Sequence, residues 1–114
     1  MYYPIAIEPG DETHAFGVAV PDLPGCFSAG DTMIEAFVNV REAIKLWIET
    51  NLEMGKKIPK ATSIVTLRAK YPEYADWVWG VADFDSGAIS ITEFDNVLLT
   101  VFEKASLSNT TISR

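Results

Sequence analysis

The 114-residue chain has one cysteine and one histidine. A lone thiol forms no internal disulfide, which agrees with a reducing compartment. Cys26 and His14 supply no Cys/His cluster for zinc, and Cys26 has no second Cys or His with which to form a dyad. Basic side chains are scarce. Nine Lys and Arg stand against sixteen Asp and Glu, a formal charge of −7 and a pI near 4.5. Binding to nucleic acid rests on phosphate neutralisation, so this balance argues against general nucleic-acid binding and for a basic partner. No apolar run approaches the roughly 20 residues of a membrane span. Met1-Tyr2-Tyr3-Pro4 shows neither a basic nor an apolar leader region, so a cytoplasmic location is expected. Gly-rich phosphate loops and nucleophile elbows are lacking too.

What is present is core material: 48% of residues are hydrophobic, with three Trp, six Phe and four Tyr. That excludes global disorder and fits one domain, or one small domain with an appendage. Tyr2–Glu8 alternates, with Tyr3, Ile5 and Ile7 on one side, and predicts a strand. Pro4 lacks an N–H, so its amide side is expected away from a paired neighbour. Pro9-Gly10-Asp11-Glu12-Thr13 is turn chemistry. Residues 14–20 predict a second strand, with Phe16, Val18 and Val20 on a bulky face and Ala15, Gly17 and Ala19 on a face of small residues. After Pro21-Asp22-Leu23-Pro24-Gly25, residues 26–30 read as a short third strand, completing an antiparallel meander.

Thr32-x-x-Glu35 is a capping box. Behind it Ala36, Phe37, Val40, Ala43, Ile44, Trp47, Ile48 and Leu52 recur at helical spacing, and Gly55 stops the helix. Residues 63–70 are open between strand and short helix: Ile64, Val65 and Thr66 favour a strand, while Ser63 could cap a helix ending before Pro72. Residues 77–83 predict a fourth strand, with Trp77, Trp79 and Val81 on one face. A strand, a long helix and a strand make a crossover, so the fourth strand is expected parallel to the third and beside the first. The sheet face away from the long helix then has little to cover it, which predicts association through that face or an edge strand. Asp85-Ser86-Gly87 reads as a boundary. Residues 88–92 alternate like a short strand, Val97, Leu98, Val101, Phe102 and Ala105 recur helically, and 110–114 could begin another helix.

A sheet of this order is similar to a minimal nuclease-type α/β fold, in which strand carboxylates hold Mg²⁺. Glu8 and Asp83 at strand ends, with Asp22 and Asp31 in flanking loops, are the residues such a site would use. Scattered carboxylates in an acidic chain read as solvated surface charge instead. Trp77 and Trp79 could stack bases, but the net charge favours packing. The residues therefore describe a non-enzyme, with no catalytic, cofactor-binding or metal site expected.

The run Asp22-Leu23-Pro24-Gly25-Cys26-Phe27-Ser28-Ala29-Gly30-Asp31-Thr32, followed by Glu35-Ala36 and Arg41-Glu42-Ala43, resembles the HicB antitoxin family. Pro72-Glu73-Tyr74-Ala75-Asp76 before a Trp-bearing strand resembles that family's later segment. The resemblance implies an α+β fold. It consists of a partial RNase-H-like β-β-β-α-β domain over 1–84, with a mixed four-stranded sheet and one long helix on one face. A short strand-helix appendage over 85–114 is similar to an incomplete ribbon-helix-helix unit, short of a whole one by roughly ten residues.

It also implies a function: an antitoxin that neutralises a HicA-like small basic RNase toxin by masking its active site. Glu8, Asp11 and Glu12 are the candidate toxin-binding residues. Repression of its own operon would place Ala88, Ser90 and Thr92 toward operator DNA, although that strand carries no Lys or Arg. The alternative reading is a DNA-binding autorepressor or dimerisation module without toxin inhibition. A homodimer or homotetramer is expected, without membrane contact.

Overall fold

The computed structural model describes residues 2–83, 89–94 and 97–102. Six strands form one sheet: β1 (Tyr2–Glu8), β2 (Phe16–Ala19), β3 (Phe27–Gly30), β4 (Val78–Asp83), β5 (Ile89–Phe94) and β6 (Val97–Phe102). Their order is β3-β2-β1-β4-β5-β6, and every neighbouring pair is antiparallel. Helix α1 (Met33–Glu53) lies on one face, and α2 (Ile64–Lys70) with a 3₁₀ turn (Pro72–Tyr74) on the other. The chain is thus α+β, with a long helix on a sheet.

The alternation in β1 sorts its side chains as its period demands. Tyr3, Ile5 and Ile7 point into the α1 core, while Ala6 points to the opposite core with Leu67 and Trp79. Pro4 lies where β1 pairs only with β4, because the β2 ladder starts at Ala6. Thr32 caps α1, its hydroxyl accepting from the Glu35 N–H at 3.1 Å, and the Glu35 carboxylate accepts from the Asp31 N–H at 2.9 Å. Five helix side chains are buried: Ala36, Phe37, Val40, Ile44 and Ile48. Leu52, in the same sequence stripe, is 57% exposed because the last turn of α1 projects past the buried cluster. The helix approaches β3 closely. A Cβ on Gly30 would stand 2.5 Å from the Ala36 nitrogen, so only glycine fits there. Ser28 reinforces the contact by donating to the Ala36 carbonyl at 3.0 Å.

Three expectations are corrected. The fourth strand runs antiparallel to β1, with Tyr2 opposite Asp83 and Ile7 opposite Val78, and therefore not parallel to β3. The reason lies in residues 63–70, which form helix α2 with Ser63 as its cap. Helix α1 returns the chain to the end of the sheet where β1 begins. There the Tyr3 hydroxyl donates to the Pro59 carbonyl at 2.6 Å, and Asp22 accepts from the Thr62 N–H at 2.9 Å and its hydroxyl at 2.7 Å. The chain then crosses the second face through α2 and the 3₁₀ turn and enters β4 from the far end. A strand entered there must run downward.

Second, the face away from α1 is covered in part. Leu67 packs on Ala6 and Trp79, with Ile64, Tyr71, Tyr74 and Trp77 around them. Trp79 is fully buried and its indole donates to the Tyr74 carbonyl at 3.1 Å, which makes it a packing residue.

Third, Val97–Phe102 is a strand and not a helix. A six-residue apolar run suits either period, and pairing with β5 decides for the strand. β5 then lies between β4 and β6 and has no free edge for the partner strand of a ribbon-helix-helix dimer. Phe84 to Ala88 and residues 103–114 lie outside the described residues, and with them the boundary signal and the second C-terminal helix. Among the described residues, no helix is long and apolar enough to cross a membrane.

Phe37 is fully buried in the α1 core. Phe37→Ala is expected to cost about 3–5 kcal/mol, seen as a lower urea midpoint at unchanged slope. Cys26, 4% exposed, has its thiol pushed up to about 11 by burial. It should therefore resist a disulfide reagent at pH 8 in native protein and react fully once the chain is unfolded.

Candidate functional site

The first Lys or Arg of the chain is Arg41; before it stand Glu8, Asp11, Glu12, Asp22, Asp31 and Glu35. Folding gathers most of that uncompensated charge at one end of the sheet. β1 delivers Glu8 to its last position, the β1–β2 turn carries Asp11 and Glu12, and the β3–α1 junction brings Asp31 alongside. Glu8 and Asp11 border one shallow concavity with Thr13 and His14, and Asp11, Glu12 and Asp31 border the next. Glu8, Asp11, Glu12 and Asp31 are all exposed. Lys56, Lys57 and Lys60 follow the far end of α1.

The turn itself is organised by Asp11. Its Oδ1 accepts from the Thr13 N–H at 2.8 Å, the Thr13 hydroxyl at 3.0 Å and the His14 N–H at 2.9 Å, and it lies 3.0 Å from His14 Nδ1. These bonds hold the Asp11 carboxyl below its ordinary value of 3.8, the Thr13 amide first and the His14 ring next. Gly10 is required here, because a Cβ would stand 2.5 Å from the His14 carbonyl oxygen. The result is a turn with a fixed backbone, presenting carboxylates at defined positions. Such a surface presents carboxylates, one hydroxyl and one imidazole around shallow concavities. Its chemistry is charge and hydrogen-bond acceptance toward a cationic ligand.

Glu8, Asp11 and Glu12, named from the sequence, are thus brought together. Asp31 joins them, although the sequence offers it only as a carboxylate of a metal site. The absence of any Lys or Arg before Arg41 is the signal that marks the whole group. The nuclease-like set does not assemble. Glu8 and Asp83 fall at opposite ends of the β1–β4 ladder, about 20 Å apart at a strand rise of ~3.3 Å per residue. Asp22 is occupied by Thr62. Among the described residues, no group of three His, Cys, Asp or Glu side chains could hold a metal ion. Of the candidate DNA-facing residues, Ser90 pairs with Val81 and Thr100 within the sheet, Thr92 lies on β5, and Ala88 lies outside the described residues.

A family model described as the HicB-like antitoxin of bacterial toxin-antitoxin systems matches residues 3–103. A 14.9 kDa protein from the rep-hol intergenic region of Haemophilus phage HP1 is 46% identical over 85 residues, 75% of this chain and 62% of that protein. A UPF0150 protein of Thermoplasma acidophilum is 46% identical over 50 residues, 44% of this chain and 72% of the other. The N-terminal domain of the Burkholderia pseudomallei antitoxin HicB superposes with a TM-score of 0.60 at 39% identity, covering 73% of this chain and 96% of that one. A chain of a HicA3–HicB3 toxin-antitoxin complex superposes at 0.57 and 27% identity, with the same coverage. The match spans 62% of the length of both the phage protein and the longer Burkholderia antitoxin chain.

Because the Asp11 carboxyl is lowered in the folded state, its hydrogen bonds stabilise the turn fully above the ordinary carboxylate range. That contribution is lost as pH falls through the lowered folded value. A proton-detected titration should show Asp11 titrating below its ordinary value, with the Thr13 and His14 amide resonances moving at the same midpoint. In Asp11→Asn those amide shifts are expected to disappear.

Proposed function

The chain belongs to the HicB-like antitoxin family, and we propose that it binds a small basic HicA-type ribonuclease toxin and neutralises it by masking the toxin's active site. The observation that carries this reading is the acidic turn: Glu8, Asp11, Glu12 and Asp31 on one end of the sheet, with no Lys or Arg in the first 40 residues. A basic protein approaching this chain meets a negative field concentrated at that end, which steers encounter and sets orientation. The turn is built for docking because Asp11 and Gly10 fix its backbone before the partner arrives. Little ordering entropy is then lost on binding. The likeness to a chain of a HicA3–HicB3 toxin-antitoxin complex supports a partner of the HicA kind.

Co-expression with the product of a neighbouring basic reading frame should give a co-purifying complex and restore growth that the toxin alone arrests. Glu8→Lys with Glu12→Lys is expected to slow association about 10-fold at low salt, with the difference shrinking toward 0.5 M salt, while the antitoxin's own melting temperature stays within a few degrees. Absence of both complex and rescue with that product would reject the reading. A complex with unchanged association rates would move the contact away from the β1–β2 turn.

A further inference from the structure

The negative charge gives way in the middle of the chain. Between Glu53 and Glu73 there is no Asp or Glu, and five of the nine basic residues stand there: Lys56, Lys57, Lys60, Arg68 and Lys70. All four lysines are exposed. Among the described residues none of them forms an ion pair, so each keeps its attraction for an anion from solution. Pro59 and Thr62 are pinned to Tyr3 and Asp22. Lys60, two residues before Thr62, is thereby held beside the loop that carries Pro21 and Pro24.

The same loop borders a row of aromatic rings. After α2 the chain turns by bonds three residues apart: the Tyr74 N–H donates to the Tyr71 carbonyl at 2.9 Å, and the Trp77 N–H to the Tyr74 carbonyl at 3.0 Å. At three residues per turn, side chains three apart eclipse one another. Tyr71, Tyr74 and Trp77 therefore stand in a row, with ring centroids 5.9 Å and 4.7 Å apart. Each packs on the cluster of Ala6, Leu67 and Trp79 and keeps part of its surface in solvent. Tyr71 and Tyr74 line an apolar groove together with Pro21, Pro24 and Phe27. Two cations lie against aromatic rings here. Lys70 Nζ is 5.5 Å from the centre of the Tyr71 ring, and the Arg68 guanidinium is 5.7 Å from that of Trp79.

We infer that this surface binds single-stranded nucleic acid, with unpaired bases on the Tyr71 and Tyr74 rings and phosphates on Lys56, Lys57, Lys60 and Lys70. Aromatic rings beside unpaired cations are the two parts such a site combines. The rings can engage only the faces of bases. A duplex buries those faces in its own stack, so the strand must be single. An acidic peptide would satisfy the lysines but offers no flat face to the rings. The chain-wide charge of −7 opposes binding over the whole surface, not at this place. Lys56 and Lys57 stand about 30 Å from the acidic turn along α1, well beyond the ~8 Å screening length of physiological salt. Acidic residues do set the limit of the site. Glu73 and Asp76 are exposed, and β4 begins opposite Ile7, so Trp77 marks the end of the row nearest Glu8. A strand therefore runs from the lysines over Tyr71 and Tyr74 and stops short of Trp77, a span of only a few nucleotides. The inference stands on these contacts and is independent of the toxin reading.

The test uses the whole chain without toxin and a fluorescently labelled oligo-uridine, read by anisotropy across a salt series. Binding should weaken with salt on a log–log slope of about −3, four phosphate contacts at ~0.7 each for a single strand. Lys57→Ala with Lys60→Ala should bring that slope to about −1.5. Tyr71→Leu keeps an apolar side chain on the Leu67 cluster and removes the ring. It should weaken binding about 10-fold at every salt concentration and leave the slope unchanged. Its melting temperature is the control for folding, and the double lysine variant, altered only at the surface, keeps the test decisive if Tyr71→Leu melts early. An abasic strand of equal length should bind the unaltered chain as weakly as oligo-uridine binds Tyr71→Leu. An oligo-thymidine arm separates the sources: tighter oligo-uridine assigns the site to RNA, tighter oligo-thymidine to DNA, and either supports it. No binding at about 20 mM salt, where phosphate contacts are strongest, overturns the inference. So does binding indifferent to both variants, an abasic strand held as tightly as oligo-uridine, or a duplex held as tightly as the single strand. Polyglutamate that displaces the strand at equal charge would overturn it in favour of an acidic protein partner.

Discussion

The structure depends on how the chain is held as it passes from one face of the sheet to the other. Two interactions hold it: the Tyr3 hydroxyl on the Pro59 carbonyl, and the Asp22 carboxylate on the amide and hydroxyl of Thr62. Both anchor residues belong to the sheet end where α1 delivers the chain. A charge-assisted pair to Asp22 is stronger than a neutral bond, and Asp22 is only half-buried, so its desolvation is modest. With 59–62 pinned there, α2 has one place to pack, over Ala6 and Trp79. β4 must then be entered from the opposite end, which sets its direction. The position of β5 and β6 beyond β4 follows from that.

The same path separates the charges. α1 begins beside the acidic turn and ends where the lysine-bearing segment starts, some 30 Å away for 21 residues at about 1.5 Å each. At physiological salt, charges that far apart are screened from one another. The acidic end therefore acts on an approaching partner almost independently of Lys56, Lys57 and Lys60. A net charge of −7 understates how negative that end is.

Elements whose cause is local were readable from the residues. The α1 cap rests on Thr32 and Glu35 within one turn, and β1 on a period-two pattern of side chains that reach both cores. Glu8, Asp11 and Glu12 lie within five residues of one another around a turn, so their proximity needed no tertiary information. Elements whose cause is distant were not readable. Ser63 to Lys70 holds both a cap and β-branched residues, and only the Leu67 contact with Trp79 decides for a helix. Val97 to Phe102 satisfies a helical spacing, and only the neighbouring β5 converts it to a strand. Asp31 and Asp11 are 20 positions apart, and the approach of β3 to the β1–β2 turn is what makes them neighbours.

By itself, the sequence determined the composition of the core, the long capped helix, the meander, the acidic first 40 residues and, through residues 22–43, the family. These follow from short-range rules: periodicity, capping, turn chemistry and the sign of charge. The tertiary structure alone decided the direction of β4, the covering of the second face, the company Asp31 keeps and the open outer edge of β3. The last two follow from β3 packing beside β2, the first two from which end of the sheet the chain re-enters. That is a matter of long-range hydrogen bonds at Asp22 and Tyr3, which no local pattern encodes.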